Sequence, residues 1–317
     1  MSGTGLGVRV SAAELLQLRF SARAIELTSQ RRTVSSVAGI QRSAFRGRGI
    51  DYLESRNYQQ GDDIRAMDWR VTARTGRAHT KVYQEERERP VIVLIDLSPS
   101  MFFGTRAALK SVIAARAAAL IGWATVNNHD RIGALLFDGG QDTCREIRPT
   151  GGRIGVLQLI RALVVATAPE RFDPNRHSRL SEALKRLRRV ARPGSLLVLL
   201  SDFYALDADS EQSLAQLRRH NDVLACHILD PLELYAPPPG RYGISDGQQT
   251  RILDTASPTS RTGYSNHFST HRQAVKGLLQ KYGIPLFRLH TTDDVAERLR
   301  RELAGTGGFI SRGSPSE

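Results

Sequence analysis

Two uninterrupted apolar runs, each ending in an aspartate, constrain this chain more than any other feature: "VIVLID" ends at Asp96 and "SLLVLLSD" at Asp202. Runs of this length without polar alternation belong to strands covered on both faces, as in the parallel sheets of α/β proteins. Strand-like and helix-like segments alternate around them from Pro90 onward. The pattern predicts an Ala-rich helix over 105–127, a strand "RIGALLFD" over 131–138, a strand over 143–148, and helices over 152–167 and 179–191. A helix around 210–219, a strand "DVLACHIL", a helix over 267–282, a strand "IPLFRLH" and a helix from about Asp293 to Leu303 complete it. This order predicts a doubly wound, mostly parallel sheet spanning 90–304, whose ligands bind at the carboxyl ends of the strands.

The flanks read differently. Ser11 followed by Glu14 is a capping-box pattern, and Leu15, Leu18 and Ile25 have helical spacing, so a helix is expected over 11–31. Residues 32–61 are rich in Ser, Gly and Arg and read as irregular structure. "AHTKVYQ" alternates like a half-exposed strand. Residues 1–89 are therefore expected to form an irregular amino-terminal extension packed on the main domain. A loop-rich insert is expected over 230–266 and a disordered tail over 305–317. Arg56, Asp62, Asp63, Arg65, Asp68 and Arg74 read as an ion-pair and turn network docking the extension, with a partner-binding surface as the alternative.

No apolar stretch approaches the length of a membrane span, and the amino terminus lacks a secretory pattern, so a cytoplasmic protein is expected. Cys144 and Cys226 have no metal-ligand spacing and read as two buried free thiols. The net charge of +13 raises the possibility of nucleic acid or an anionic surface as partner. Against it, the basic residues are nearly all arginine and are spread along the chain. The densest cluster, "LKRLRRVARPG" with Lys185 to Arg192, has the look of a solvated helix face.

The stretch "DLSPS" after the first apolar run places Asp96, Ser98 and Ser100 on a tight loop at a strand's carboxyl edge, where a metal, a phosphate or a catalytic serine can sit. The phosphate reading lacks a P-loop. "GISDG" around Ser245 matches G-x-S-x-G only formally, because no buried strand precedes the serine. His267 and His271 share a helical face, but "HFSTH" lacks the glutamate of a zinc-protease helix. Carboxylate and hydroxyl oxygens are hard donors suited to Mg²⁺, and Asp202 supplies a second acid if the two strands are neighbours.

"DLSPS" resembles the metal-ion-dependent adhesion site (MIDAS) of von Willebrand factor A domains, a Rossmann-type fold. That resemblance implies that Ser98 and Ser100 ligate the metal, with Asp96 and Asp202 acting mainly through water or hydrogen bonds. The threonine of the pattern is replaced by Ser178 in "HSRLSEAL". The longer segment from Gly47 to Met101, together with "LLSDF" and "ILDPLE", resembles the bacterial family called domain of unknown function 58. Members of that family are commonly encoded beside AAA+ ATPases of the MoxR type. The resemblance implies a non-enzymatic, metal-dependent adaptor or assembly protein with such an ATPase or its client as partner. Two other readings stand beside it: arginine-mediated binding of nucleic acid or an anionic surface, and a metal-assisted hydrolase using Asp96 and Asp202.

Overall fold

The expected alternation is present in a computed structural model, which describes residues 7–27, 50–60, 62–85, 88–140, 144–245 and 249–306. In chain order the elements are α1 (Ala12–Gln17), β1 (Ile50–Asn57), α2 (Trp69–Thr75), β2 (His79–Glu85), β3 (Pro90–Asp96), α3 (Lys110–Asn127), β4 (Arg131–Phe137), β5 (Arg145–Gly151), α4 (Gly152–Ala166), α5 (Leu180–Val190), β6 (Leu196–Ser201), α6 (Ala208–His220), β7 (Asp222–Leu229), α7 (Pro231–Leu234), β8 (Arg241–Ser245), β9 (Thr250–Asp254), α8 (Pro258–Lys281), β10 (Leu286–His290) and α9 (Val295–Thr306). The chain divides into two compact units: Met1–Gln30 with Arg89–Glu317, and Arg31–Glu88.

The first unit is built on a six-stranded sheet in the order β10-β7-β6-β3-β4-β5. All neighbours are parallel except β4 and β5. The apolar runs are central because both of their faces are covered. Val91, Val93 and Ile95 of β3 join a core with α1, α3, α4 and α9, whereas Ile92 and Leu94 join one with α5, α6 and α8. Alternate residues of a strand face opposite sides, so each run must be apolar throughout. The chain leaves β3 toward β4 and later returns to β6 on the other side of β3, which makes the β3/β6 boundary the topological switch point. The crevice outside those two carboxyl ends is where such sheets bind ligands.

Several local expectations are corrected. The capping box at Ser11 and Glu14 forms, but α1 ends at Gln17 and a 3₁₀ turn over Ser21–Ala24 follows. The tighter turn lets Ala22 and Ile25 share one core with Leu15, a demand of packing that the helical period does not contain. Within the segment expected to be irregular, Ile50–Asn57 is a strand; it pairs antiparallel with β2, a partner about 30 residues further along the chain. Residues 32–49 lie outside the described residues. Helix α8 starts at Pro258 instead of 267; no residue of its polar first half is fully buried, and Val275 and Leu279 are its fully covered positions. The loop-rich insert is correspondingly shorter and contains the hairpin β8–β9. Of the expected tail, 305 and 306 belong to α9 and 307–317 lie outside the described residues. Cys226 is buried as expected, but Cys144, just ahead of edge strand β5, is only partly so.

In the second unit Asp68 caps α2, accepting the Arg70 and Val71 amides and the Ser55 hydroxyl, the last at 2.7 Å. Arg56 pairs with Asp62 at 2.7 Å, and Asp63 caps a 3₁₀ turn. Asp62, Asp63 and Asp68 accept backbone amides and close turns within the unit, and Arg56 is paired with the first of them.

Candidate metal centre

Strand β3 delivers Asp96 to the sheet's carboxyl edge in a buried position, 1% exposed. One carboxylate oxygen, Oδ1, accepts the Ser98 amide at 2.9 Å, which folds the loop back on the strand end. The other, Oδ2, accepts the Ser201 hydroxyl at 2.6 Å and so ties β3 to the last residue of β6. Pro99 then opens a 3₁₀ turn, Pro99–Phe102, that places the Ser100 hydroxyl 3.3 Å from that of Ser98. Burial and the nearby Asp202 charge push the Asp96 carboxyl up to about 6, against the hydrogen bonds from Ser201 and Ser98.

Asp202 follows Ser201 and is equally buried. The backbone turns sharply after it: Phe203 has a left-handed φ of 58°, a costly conformation for a bulky residue. The Ser201 hydroxyl accepts the Phe203 amide at 2.8 Å and holds that turn. Asp202 Oδ2 accepts a 2.8 Å bond from Lys110 Nζ, the first residue of α3, and Lys110 also donates to Glu233 Oε1 at 2.9 Å. Burial works against the Asp202 charge, but Lys110 outweighs it and holds this carboxyl below its usual range. The two carboxylates keep Lys110 protonated despite its burial. Glu233 is fixed in turn by the α7 capping box, where its Oε2 accepts the Asp230 amide at 2.7 Å. His271 bonds the Asp202 carbonyl at 2.9 Å and stacks on Tyr204 at 4.1 Å.

Ser178 reaches the same edge by another route. Strand β4 runs beside β3 with Phe137 opposite Asp96, and the loop after it carries Asp138 and Gly139. Asp138 pairs with Arg176, and a Cβ on Gly139 would lie 2.4 Å from the His177 carbonyl oxygen. The segment bearing Ser178 is thereby pressed against that loop. Its hydroxyl is buried and has no hydrogen-bond partner among the described residues. A buried hydroxyl left unsatisfied costs free energy that a ligand would recover.

The loops after β3 and β6 bring the hard oxygen donors Asp96, Ser98, Ser100 and Asp202 together at the switch-point crevice, and Ser178 lies on the same sheet edge beside the loop after β4. Asp96, Asp202 and Glu233 oppose Lys110, so the fully ionised cluster carries a net negative charge that a divalent cation would neutralise. The raised value at Asp96 comes first from its burial and then from the Asp202 charge beside it. The donor set and the orphaned Ser178 hydroxyl therefore fit Mg²⁺. Lys110, Ser201 and Glu233 were not singled out by sequence reasoning. A lysine opening an otherwise apolar, Ala-rich helix was a signal for the first, and the glutamate of "ILDPLE" for the last.

Other sequence candidates lie elsewhere. Ser245 ends the exposed hairpin strand β8. The basic residues at and within α5 are partly committed: Arg179, just before the helix, pairs with Glu182, Lys185 with Asp209, and Arg188 bonds Gln216. Among the described residues, no helix is long and apolar enough to cross a membrane.

The profile of the family described as "Protein of unknown function DUF58" matches residues 54–274. The chain belongs to that family. Uncharacterised proteins of Mycobacterium tuberculosis and Mycobacterium bovis are 30% identical to this DUF58 chain over 298 residues, covering 91% of it and 92% of theirs. Among solved structures, it is similar to the conserved hypothetical protein BatB from Bacteroides thetaiotaomicron, at 11% identity and a TM-score of 0.42 over 69% of this chain and 99% of that one. It is also similar to a von Willebrand factor type A protein from Catenulispora acidiphila, at 14% identity and a TM-score of 0.35 over 71% and 43%.

Proposed function

We propose that this DUF58 protein is a non-enzymatic adaptor of the cytoplasm that engages a protein partner through Mg²⁺ or a similar divalent cation. The observation that carries the reading is the meeting of Asp96, Ser98, Ser100 and Asp202 at the switch point; Ser178, at the carboxyl edge of the same sheet, adds a buried hydroxyl with no partner among the described residues. Ser98, Ser100 and Ser178 would hold the cation, with Asp96 and Asp202 supplying charge at or behind it. When bound, the cation offers a coordination position to a carboxylate of the partner. The chain's own part is orientation. The Ser98 amide and Ser201 hydroxyl fix Asp96, and the strained turn at Phe203 aims Asp202. By family resemblance, the partner is a MoxR-type AAA+ ATPase or its client.

The non-enzymatic reading is supported by the nearby groups. Lys110 is held charged between two carboxylates, and burial and Glu233 push the Tyr204 phenol far above its usual range, so neither is primed as nucleophile or base. A metal-assisted hydrolase is the second reading, favoured by the value of about 6 at Asp96, which suits a general base. Affinity capture with the full chain as bait, in Mg²⁺ and then in chelator, tests the proposal. A partner retained only with Mg²⁺ and lost in the Asp96→Ala and Ser98→Ala variants supports it. Capture indifferent to chelator and to both variants sinks the metal-dependent mechanism, and turnover abolished by loss of either acid would establish the hydrolase.

A further inference from the structure

We infer that Lys110 is a built-in cation of this site, whose fixed charge holds the affinity for a divalent ion low. The inference rests on the metal reading above and concerns what sets its strength. Lys110 is 1% exposed. Its ammonium bridges Asp202 at 2.8 Å and Glu233 at 2.9 Å. A buried ammonium is costly unless such partners surround it, and apolar residues would fill the same space at less cost. The rest of α3 does so, with Val112, Ile113, Ala114 and Ala115 all buried.

The charge count gives the consequence. Three carboxylates against one ammonium leave a formal charge of −2 when all are ionised, which one divalent ion neutralises. Without Lys110 the same cluster would carry −3 when fully ionised, and in that form would attract a divalent ion more strongly in a buried, poorly screened setting. Lys110 also occupies Oδ2 of Asp202, while Oδ1 accepts a long bond, 3.3 Å, from the Tyr204 amide, and the Ser100 hydroxyl bonds the same carboxylate. Asp202 is thus placed to act on a bound ion through water more readily than by direct ligation. Weak resident binding lets a partner carboxylate contribute a larger share of the coordination, so that cation and partner strengthen each other's binding.

Two substitutions should move affinity in opposite directions. Lys110→Met removes the charge and keeps the side-chain length; Glu233→Gln removes one negative charge and leaves Lys110 wholly to Asp202. Titration calorimetry of the full chain with Mg²⁺ and Mn²⁺ should show affinity raised at least roughly tenfold in Lys110→Met and lowered several-fold in Glu233→Gln. The metal-induced rise in Tm should follow the same order: Lys110→Met, wild type, Glu233→Gln. A purely structural lysine would lower stability without raising affinity. Wild-type binding with affinity unchanged or weakened in Lys110→Met overturns this inference and leaves the metal reading standing. No divalent binding in wild type or in any variant overturns both. If Lys110→Met does not fold, Glu233→Gln decides, since unchanged affinity there contradicts the charge argument.

Discussion

Lys110 Nζ lies 2.8 Å from Asp202 Oδ2, and each side chain is 1% exposed, so helix α3 and strand β6 meet in a buried ion pair at the edge of the sheet. Such a pair adds little net stability over apolar packing, yet breaking it is costly because one charge stays behind. Asp202→Ala is expected to cost about 3 kcal/mol in urea unfolding without metal, and Glu233→Gln less, since Asp202 still holds the ammonium. In the double variant with Lys110→Met, the cost of Asp202→Ala should shrink markedly. Equal costs with and without Lys110 would mean the two groups do not interact.

Ser178 should separate stability from binding. Its hydroxyl is buried without a partner among the described residues, so Ser178→Ala should leave metal-free stability unchanged or raise it by up to about 1 kcal/mol. The same variant should bind Mg²⁺ about tenfold more weakly, and Ser178→Thr, which keeps the hydroxyl and restrains its rotamer, should bind at least as well as wild type. Calorimetry of the three proteins checks this; equal affinities would remove Ser178 from the ligand set.

Gly139 should be intolerant of any side chain. It sits at φ +84°, and a Cβ would lie 2.4 Å from the His177 carbonyl oxygen, a backbone atom that cannot turn aside. Gly139→Ala should lose about 2 kcal/mol, from the left-handed strain and the displaced loop, and should weaken Mg²⁺ binding by moving Ser178. Loss of stability with unchanged binding would show that the loop does not position Ser178.

His227 should make acid stability distinctive. It is fully buried, its ring nitrogens have no partner among the described residues, and burial pushes its value down to about 3. The unfolded state therefore takes up the proton first: this contribution is complete above about 6.5 and is lost as pH falls from there toward 3. Asp96 acts oppositely, because its raised value favours the folded state at low pH and that contribution is lost as pH rises through about 6. The difference in Tm between wild type and His227→Leu isolates the histidine. Between pH 7 and 4.5 the wild type should lose ground against the variant, and parallel curves would contradict the assignment.

Helix α1 should be part of the main core. Leu15 is fully buried, its carbonyl accepts the Trp123 indole N–H at 3.0 Å, and Glu14 holds Arg116 at 2.6 Å. Leu15→Ala should cost about 3 kcal/mol by chemical denaturation, as for a cavity in a domain centre. A cost under about 1 kcal/mol would mark α1 as a surface attachment.

The legible parts of this protein are those carried by neighbours in sequence. The central strands β3 and β6 were readable because burial on both faces leaves no polar position in "VIVLI" or "LLVLL". The Asp96–Ser100 loop was readable because its donors are adjacent, and Asp202 because it ends its strand as Asp96 does. Strand β1 was missed because its pairing with β2 is not written in its own alternation. The start of α8 was missed because a helix half with no fully buried residue shows no apolar period.

By itself, the sequence determined an α/β sheet with acids at two strand ends and hydroxyls beside one of them. Only the tertiary structure decided that β3 and β6 are neighbours at the switch point, that Ser178 is pressed to the same edge by Gly139, and that Lys110 lies between Asp202 and Glu233. The physical reason is distance along the chain. Lys110 and Asp202 are separated by 92 positions. The desolvation that makes their charges matter exists only once the sheet and its helices have closed over them.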